Sequence, residues 1–129
     1  IKNPPSLLDK LGLKPGMRVA VLGVDDPSFL AQVGERTTRI ARKTPKQDTE
    51  MIIFGADAVT DLARLADLRE HLTPAGAIWV VHTKGKAAAF KDVDVFAAAK
   101  KAGLVDVKVA SFSATHTAEK LVVPVKARK

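Results

Sequence analysis

The sequence contains no cysteine, no tyrosine and a single tryptophan among its 129 residues. The absence of cysteine excludes disulfides and thiolate metal ligands and is compatible with a reducing compartment, and we predict a cytoplasmic protein. No apolar run approaches the roughly 20 residues that a membrane-spanning helix needs, and no signal-peptide pattern is visible. We expect one globular domain over residues 1–129, because a chain of this length buries a sizeable core.

Recognisable catalytic motifs are also missing. The chain has no G-x-S-x-G elbow, no Walker A loop and no cysteine nucleophile, so we predict no catalytic residue. What it does have is an excess of positive charge, with a formal net charge of +7. Such a surface attracts phosphates, acidic proteins and nucleic acid. The shortage of aromatic side chains leaves little for base stacking, which makes nucleic-acid binding the weaker alternative.

Three segments predict buried strands, because each is a nearly continuous apolar run of the kind found in central parallel strands. These segments are Arg18–Gly23, Glu50–Gly55 and Ala77–Thr83. Thr38–Lys43 is a weaker strand candidate. Only the residues TPKQDT separate it from the next strand, whereas a parallel crossover takes about a dozen residues or more. Either this connection is stretched or the second strand is irregular.

Helices are predicted between the strands. The stretch SLLDKLG has a serine N-cap and a C-terminal glycine. Asp26 caps a second helix, which we expect to end near Gly34. Thr60–Leu72 carries leucines at a spacing near 3.6 and is the strongest helix pattern in the chain. Asp92–Leu104 is a further helix, for which we predict Asp92 as the cap.

The C-terminal region predicts two more strands. Val105–Phe112 alternates valine with polar residues, as expected of a half-exposed strand, and Ala118–Val125 is the last apolar run. The short loop between them favours an antiparallel hairpin. Strands alternating with helices predict an α/β fold, a three-layer and mostly parallel sheet with helices on both faces and this hairpin at the end.

Three quoted stretches resemble the Rossmann-type methyltransferases that use S-adenosylmethionine. "LGLKPGMRVAVLG" is similar to their lead-in helix, Pro-Gly turn and first strand, and "DLREHLTPAGAIWVV" to a later helix, turn and strand. "AAKKAGLVDVKVASFSATHTAEKLVVPV" is similar to their closing helix and hairpin. The chain also resembles a bacterial family of small uncharacterised proteins built on this core. The resemblance implies a truncated, methyltransferase-like Rossmann core.

The loop after the first strand departs from the methyltransferase pattern. That family needs several glycines there, because a Cβ atom would collide with the cofactor. Gly23 fits the first glycine, but Asp25 and Pro27 fall where the next two belong. Arg42 and Lys43 stand where the family has a carboxylate for the ribose hydroxyls. We therefore predict no cofactor and regard S-adenosylmethionine-dependent methyl transfer as the alternative.

In open parallel sheets, ligands bind outside the carboxyl ends of the strands. One interpretation is a small acid/base or metal site that uses His82 with one aspartate. The other, which we favour, is that these residues are a helix cap, solvated loop acids and a histidine bonded to backbone. No fixed ligand spacing is present, so we predict no metal. The candidate ligand-binding residues at this edge are Gly23, Asp25, Asp26, Asp57, His82, Lys84 and Lys86.

A second candidate site is the basic segment RIARKTPK, whose side chains suit a phosphate or a nucleic-acid backbone. The alternative is a solvated basic face. Taken together, the sequence predicts a non-catalytic domain that binds a small anionic ligand or a protein partner. The alternatives are a methyltransferase with an unusual cofactor loop and a nucleic-acid-binding module. The candidate anion-binding residues are Arg39, Arg42, Lys43 and Lys46.

Overall fold

The computed structural model describes residues 6–127, and the predicted single domain over residues 1–129 extends beyond them at both ends. The strands in that range are β1 (Val19–Leu22), β2 (Ile40–Ala41), β3 (Thr49–Gly55), β4 (Leu72–Thr83), β5 (Val105–Ser111) and β6 (His116–Val122). The α-helices are α1 (Leu7–Leu11), α2 (Pro27–Arg36), α3 (Leu65–Arg69) and α4 (Asp92–Lys101).

The six strands form one sheet in the order β2-β1-β3-β4-β6-β5. The first four in this order are parallel, whereas β6 runs antiparallel to β4 and β5 runs antiparallel to β6. The predicted α/β class is therefore confirmed, including the closing hairpin. The hairpin folds back so that its second strand, β6, is the one that contacts the parallel part of the sheet.

Helices cover both faces of the sheet and divide the core into two clusters. On one face α1 and α2 pack against the sheet, and Phe29 and Val33 are fully buried there. On the other face α3 and α4 contribute buried Leu65 and Val95. Burying side chains of this size stabilises the fold by about 1.5–3 kcal/mol each. Trp79 ties α1 to the sheet, since its indole N–H donates to the Leu11 carbonyl at 3.0 Å.

The second helix begins as predicted but ends later. Asp26 caps it by accepting hydrogen bonds from the first helical N–H groups at 2.9 and 3.4 Å. The expected end near Gly34 is wrong, because α2 continues to Arg36. A helical glycine costs about 1 kcal/mol relative to alanine. Two features offset this cost, namely the buried contacts of α2 and the contacts of the Arg36 guanidinium. This group lies 2.8 Å from Asp9 and 2.7 Å from the Leu13 carbonyl.

The predicted helix over Thr60–Leu72 is wrong in both length and type. Val59–Arg64 is a 3₁₀ turn, and only Leu65–Arg69 is α-helical. The turn sequence TPAG lies inside β4, which pairs with β3 at Leu72 and again from Ala77 onwards. The register shift between these pairs accommodates the extra residues as a bulge, so a turn-like sequence does not interrupt the strand.

The weak second strand is irregular, which is one of the two alternatives left open by the sequence. Only Ile40 and Ala41 pair with β1, and seven residues then lead to β3 without a helix.

The predicted cap of α4 is also wrong. The carboxylate of Asp94, not that of Asp92, accepts the N–H of Lys91 at 2.8 Å.

The predicted alternation along β5 does not bury its valines. Val105, Val107 and Val109 are 40–55% exposed, and β5 is the last strand of the sheet. Its register with β6 shifts between Asp106 and Lys108. A bulge and a lysine on an edge strand are features that discourage pairing with a further strand.

Candidate functional site

The conformation and packing of the loop after β1 explain why it contains Gly23. Gly23 adopts φ +72°, and a Cβ placed on it would lie 2.7 Å from the Gly55 carbonyl oxygen. The converse distance, from a Cβ on Gly55 to the Gly23 carbonyl oxygen, would be 2.4 Å. The ends of β1 and β3 therefore touch main chain to main chain. Gly23 is required by this packing whether or not a ligand is present.

The side chain of Arg42 closes the opposite side of the same loop. Its guanidinium donates to the carbonyls of Val21 at 3.0 Å and Val24 at 3.2 Å. It also forms an ion pair with Asp25 at 2.7 Å. Because β2 ends at Ala41, the Arg42 side chain supplies donors where a longer strand would have paired with β1. The candidate anion ligand Arg42 is therefore engaged with the β1 loop.

The carboxyl ends of β1 and β3 border a shallow depression of about 280 Å³. It gathers four of the candidate residues, Gly23, Asp25, Asp26 and Asp57, and the hairpin adds His116. Its ionisable lining is mostly acidic, so its field favours a cation rather than an anion. The candidates His82 and Lys84 border a different depression, and Lys86 is exposed in the 3₁₀ turn Gly85–Ala87.

His82 lies at the end of β4 and is 3% exposed. Its Nδ1 lies 3.0 Å from the Thr83 carbonyl, which accepts only, so Nδ1 carries a hydrogen. Its Nε2 lies 2.8 and 2.9 Å from the two carboxylate oxygens of Glu119. The ring of Phe90 packs on the imidazole with centroids 4.8 Å apart. The favoured interpretation of a backbone-bonded histidine therefore describes only one of its two nitrogens.

Glu119 is the functional candidate that the sequence did not predict. It lies on β6, is 0% exposed and shares the α4 side of the sheet with Leu121. Burial and the neighbouring carboxylate of Asp92 raise the pKa of Glu119 from its ordinary value of 4.5 to about 9. At neutral pH one proton is therefore held between Glu119 and its partners. The only sequence signal is an acidic residue, followed by Lys120, within the run that predicts the last strand.

Asp92 completes the cluster from the first turn of α4. Its Oδ1 lies 3.6 Å from the Nε2 of His82, and its side chain is 51% exposed. The ligand atoms of His82, Asp92 and Glu119 all lie within 4.8 Å of one another. A depression of about 400 Å³, bordered by Lys84 and Lys91, leads to the cluster from the surface. We call these three residues the buried polar cluster.

The predicted basic segment divides in the structure. Arg39 and Lys46 border a depression of about 240 Å³ at the β1–β2 edge, together with Arg18 from the start of β1. Lys43 is exposed and does not border it. We call Arg18, Arg39 and Lys46 the basic depression. Arg18 was missed because it precedes β1 and becomes a neighbour of Arg39 only when β2 pairs with β1.

No helix within residues 6–127 is long and apolar enough to cross a membrane. The parallel sheet, its two helical layers and its C-terminal hairpin define a methyltransferase-like Rossmann domain. The chain belongs to the family described as protein of unknown function (DUF3052), which it matches over residues 8–125. The predicted resemblance to a family of uncharacterised proteins with this core is confirmed. A comparison with curated proteins gives no match.

Solved methyltransferase structures show the same fold. An S-adenosylmethionine-dependent methyltransferase from Aquifex aeolicus superposes with a TM-score of 0.71 at 14% identity, over 91% of this chain and 88% of that one. Magnesium protoporphyrin IX methyltransferase from Synechocystis PCC 6803, solved with bound S-adenosylmethionine, gives 0.68 at 11% identity, over 90% and 74%. A TehB-like methyltransferase from Corynebacterium glutamicum gives 0.59 at 12% identity, over 91% and 85%.

Proposed function

We propose that this chain is a non-catalytic binding domain that has kept the methyltransferase-like core and binds a small anion instead of an adenosyl cofactor. The observation that carries the first half of the proposal is the position of Arg42. Its guanidinium is bonded to two carbonyls of the β1 end and to Asp25. A guanidinium cannot accept hydrogen bonds from ribose hydroxyls, as the carboxylate expected at this position would.

The depression beside Gly23 is the place at this loop where a ligand would lie. It measures about 280 Å³, at the lower limit of the roughly 300–1,000 Å³ that pockets for drug-sized molecules span. One observation favours the alternative of S-adenosylmethionine binding, namely the acidic lining by Asp25, Asp26 and Asp57, which suits a positively charged sulfonium.

The basic depression supports the second half of the proposal. Arg18, Arg39 and Lys46 border it, and no carboxylate is among its lining residues. Arginine guanidinium groups bind phosphate and carboxylate oxygens through paired hydrogen bonds. The guanidinium groups of Arg18 and Arg39 are already oriented by the carbonyls of Gln47 at 3.0 Å and Gly16 at 3.4 Å. An anion here would meet donors that are held in place.

The cofactor half is tested by isothermal titration of the full chain with S-adenosylmethionine and with S-adenosylhomocysteine. We expect no saturable heat at millimolar ligand. Saturable binding of either compound to the wild type would refute the proposal that the chain binds no adenosyl cofactor. If such binding were lost in Asp57→Asn, the alternative function would replace the proposal.

The anion half is tested with inorganic phosphate at constant ionic strength, followed by ³¹P line broadening and by the midpoint of thermal unfolding. We expect saturation with the wild type and at least tenfold weaker binding to Lys46→Gln. Lys43→Gln removes the same charge from the same segment outside the basic depression and serves as the matched control. Equal weakening in both variants, or no saturation with the wild type, would contradict a defined anion site.

A further inference from the structure

We propose that His82, Asp92 and Glu119 form a binding site for one divalent transition-metal ion that accepts mixed nitrogen and oxygen ligands, such as Zn²⁺ or Mn²⁺. This inference is independent of the anion site, which lies at the edge of the sheet formed by β2. It concerns the α4 side of the sheet, where β4, β6 and the start of α4 meet.

The distances between the donor atoms are close to those of a metal site. Zinc binds imidazole nitrogen and carboxylate oxygen at about 2.0–2.2 Å, which places neighbouring tetrahedral ligands roughly 3.4 Å apart. The His82 Nε2 to Asp92 Oδ1 distance is 3.6 Å. The His82 Nε2 to Glu119 Oε2 distance is 2.8 Å and must open by about 0.6 Å to admit an ion of this kind.

The orientation of His82 is the one that metal-binding histidines adopt. A ligating histidine donates its other ring N–H to a carbonyl or carboxylate, which fixes the ring and leaves the ligating nitrogen unprotonated. Here Nδ1 donates to the Thr83 carbonyl at 3.0 Å. Nε2 therefore faces Glu119 and Asp92 with its lone pair. Phe90 packs on the ring and holds its plane.

The proposed site is buried from solvent on one side and open to the surface on the other. Glu119 and His82 are 0% and 3% exposed, so an ion bound to them would be shielded from water on one side. Asp92 is 51% exposed and stands at the mouth of a depression of about 400 Å³. Three protein ligands with one open position are the arrangement of metal sites that admit water or a further ligand.

The charges favour a cation at this point. Two carboxylates and an imidazole converge, and two adjacent carboxylates repel each other unless a proton or a metal lies between them. Two positively charged side chains, Lys84 and Lys91, border the depression that leads to the cluster. The ammonium group of Lys84 donates to the Ser111 hydroxyl at 3.1 Å. The donor set has no sulfur, so it favours Zn²⁺, Mn²⁺ or Fe²⁺ over copper(I).

The site is tested by isothermal titration of metal-free full-length chain with ZnCl₂ and with MnCl₂. We expect one ion per chain. Glu119→Gln and Asp92→Asn should each lower the affinity at least tenfold. Glu119→Gln replaces a protonated acid by an amide of the same shape, so circular dichroism and Trp79 fluorescence should show an unchanged fold. The visible spectrum of bound Co²⁺ reports the ligand set directly and should change in Asp92→Asn.

His71→Gln is the matched control, because His71 is a second histidine that lies outside the cluster. It should bind Zn²⁺ like the wild type. The proposal would be overturned if the wild type bound no ion, or if Glu119→Gln bound Zn²⁺ as tightly as the wild type. Loss of binding in His71→Gln alone would also overturn it and assign the metal to the surface.

Discussion

The loop after β1 and the buried polar cluster are two groups of charged residues with opposite environments. At the loop, Asp25 and Arg42 form an ion pair whose side chains are 87% and 39% exposed, and each charge keeps contact with water. In the cluster, Glu119 and His82 are within 2.8 Å of each other and almost completely buried. The charges of the first group are solvated whether or not they pair. The second needs a shared proton or a cation.

The difference distinguishes an ion pair that water screens from a polar cluster whose charges have to be satisfied within the protein. Exposed ion pairs contribute about 0–1 kcal/mol because water screens them. A buried charged or proton-sharing pair is costly to form and more costly to break. The loop after β1 is therefore the less constrained of the two regions. The stronger constraint lies on the α4 side, between β4 and β6.

The largest expected effect comes from breaking the buried pair. His82→Ala leaves Glu119 without its imidazole partner and removes the ring that packs on Phe90, so we expect a loss of about 3–5 kcal/mol in the free energy of unfolding. Asp25→Ala breaks the exposed pair and should cost less than about 1 kcal/mol. Urea unfolding followed by Trp79 fluorescence measures both. Similar losses for the two variants would remove the distinction between the regions.

A smaller effect is expected where the ends of β1 and β3 touch. In Gly55→Ala the new Cβ would meet the Gly23 carbonyl oxygen at 2.4 Å, and main-chain atoms have to move, at a cost of about 2–3 kcal/mol. Gly34→Ala is the control, because nothing lies within 4 Å of its Cβ position. That variant should gain up to about 1 kcal/mol. The midpoints of urea unfolding measure both changes. If Gly55→Ala were as stable as the wild type, the close contact between the ends of β1 and β3 would be contradicted.

The third effect is a pH dependence that only the buried cluster should cause. The folded state raises the pKa of Glu119 to about 9, so it keeps a proton that the unfolded chain has already released at pH 7. Folded protein then binds more protons than unfolded protein, and the free energy of unfolding falls as the pH rises from 7 to 9, by about 2 kcal/mol in total.

Glu119→Gln tests the origin of this slope. An amide does not titrate, so the free energy of unfolding of this variant should change little over the same pH range. Stability that rises between pH 7 and 9 in the wild type would contradict the direction assigned to Glu119. An equal fall in the variant would assign the dependence to other groups.

Local patterns predicted much of the fold. The serine and aspartate caps of α1 and α2, the apolar runs of β1, β3 and β4 and the closing hairpin are all read from neighbouring residues, because caps and strands satisfy their requirements within a few positions. The failures have a common cause. The TPAG sequence, Gly34 and the β5 valines each have a local preference that contacts with distant strands and helices override.

The sequence by itself determined the strands β1, β3 and β6, the caps of α1 and α2 and the single glycine in the loop after β1, since these depend on the covalent character of a few adjacent residues. Only the tertiary structure decided which charges meet. Glu119 lies 37 positions after His82, and it reaches the imidazole because β6 pairs antiparallel with β4 and α4 begins beside them. Strand register is set by packing across the whole sheet, and no local pattern encodes it.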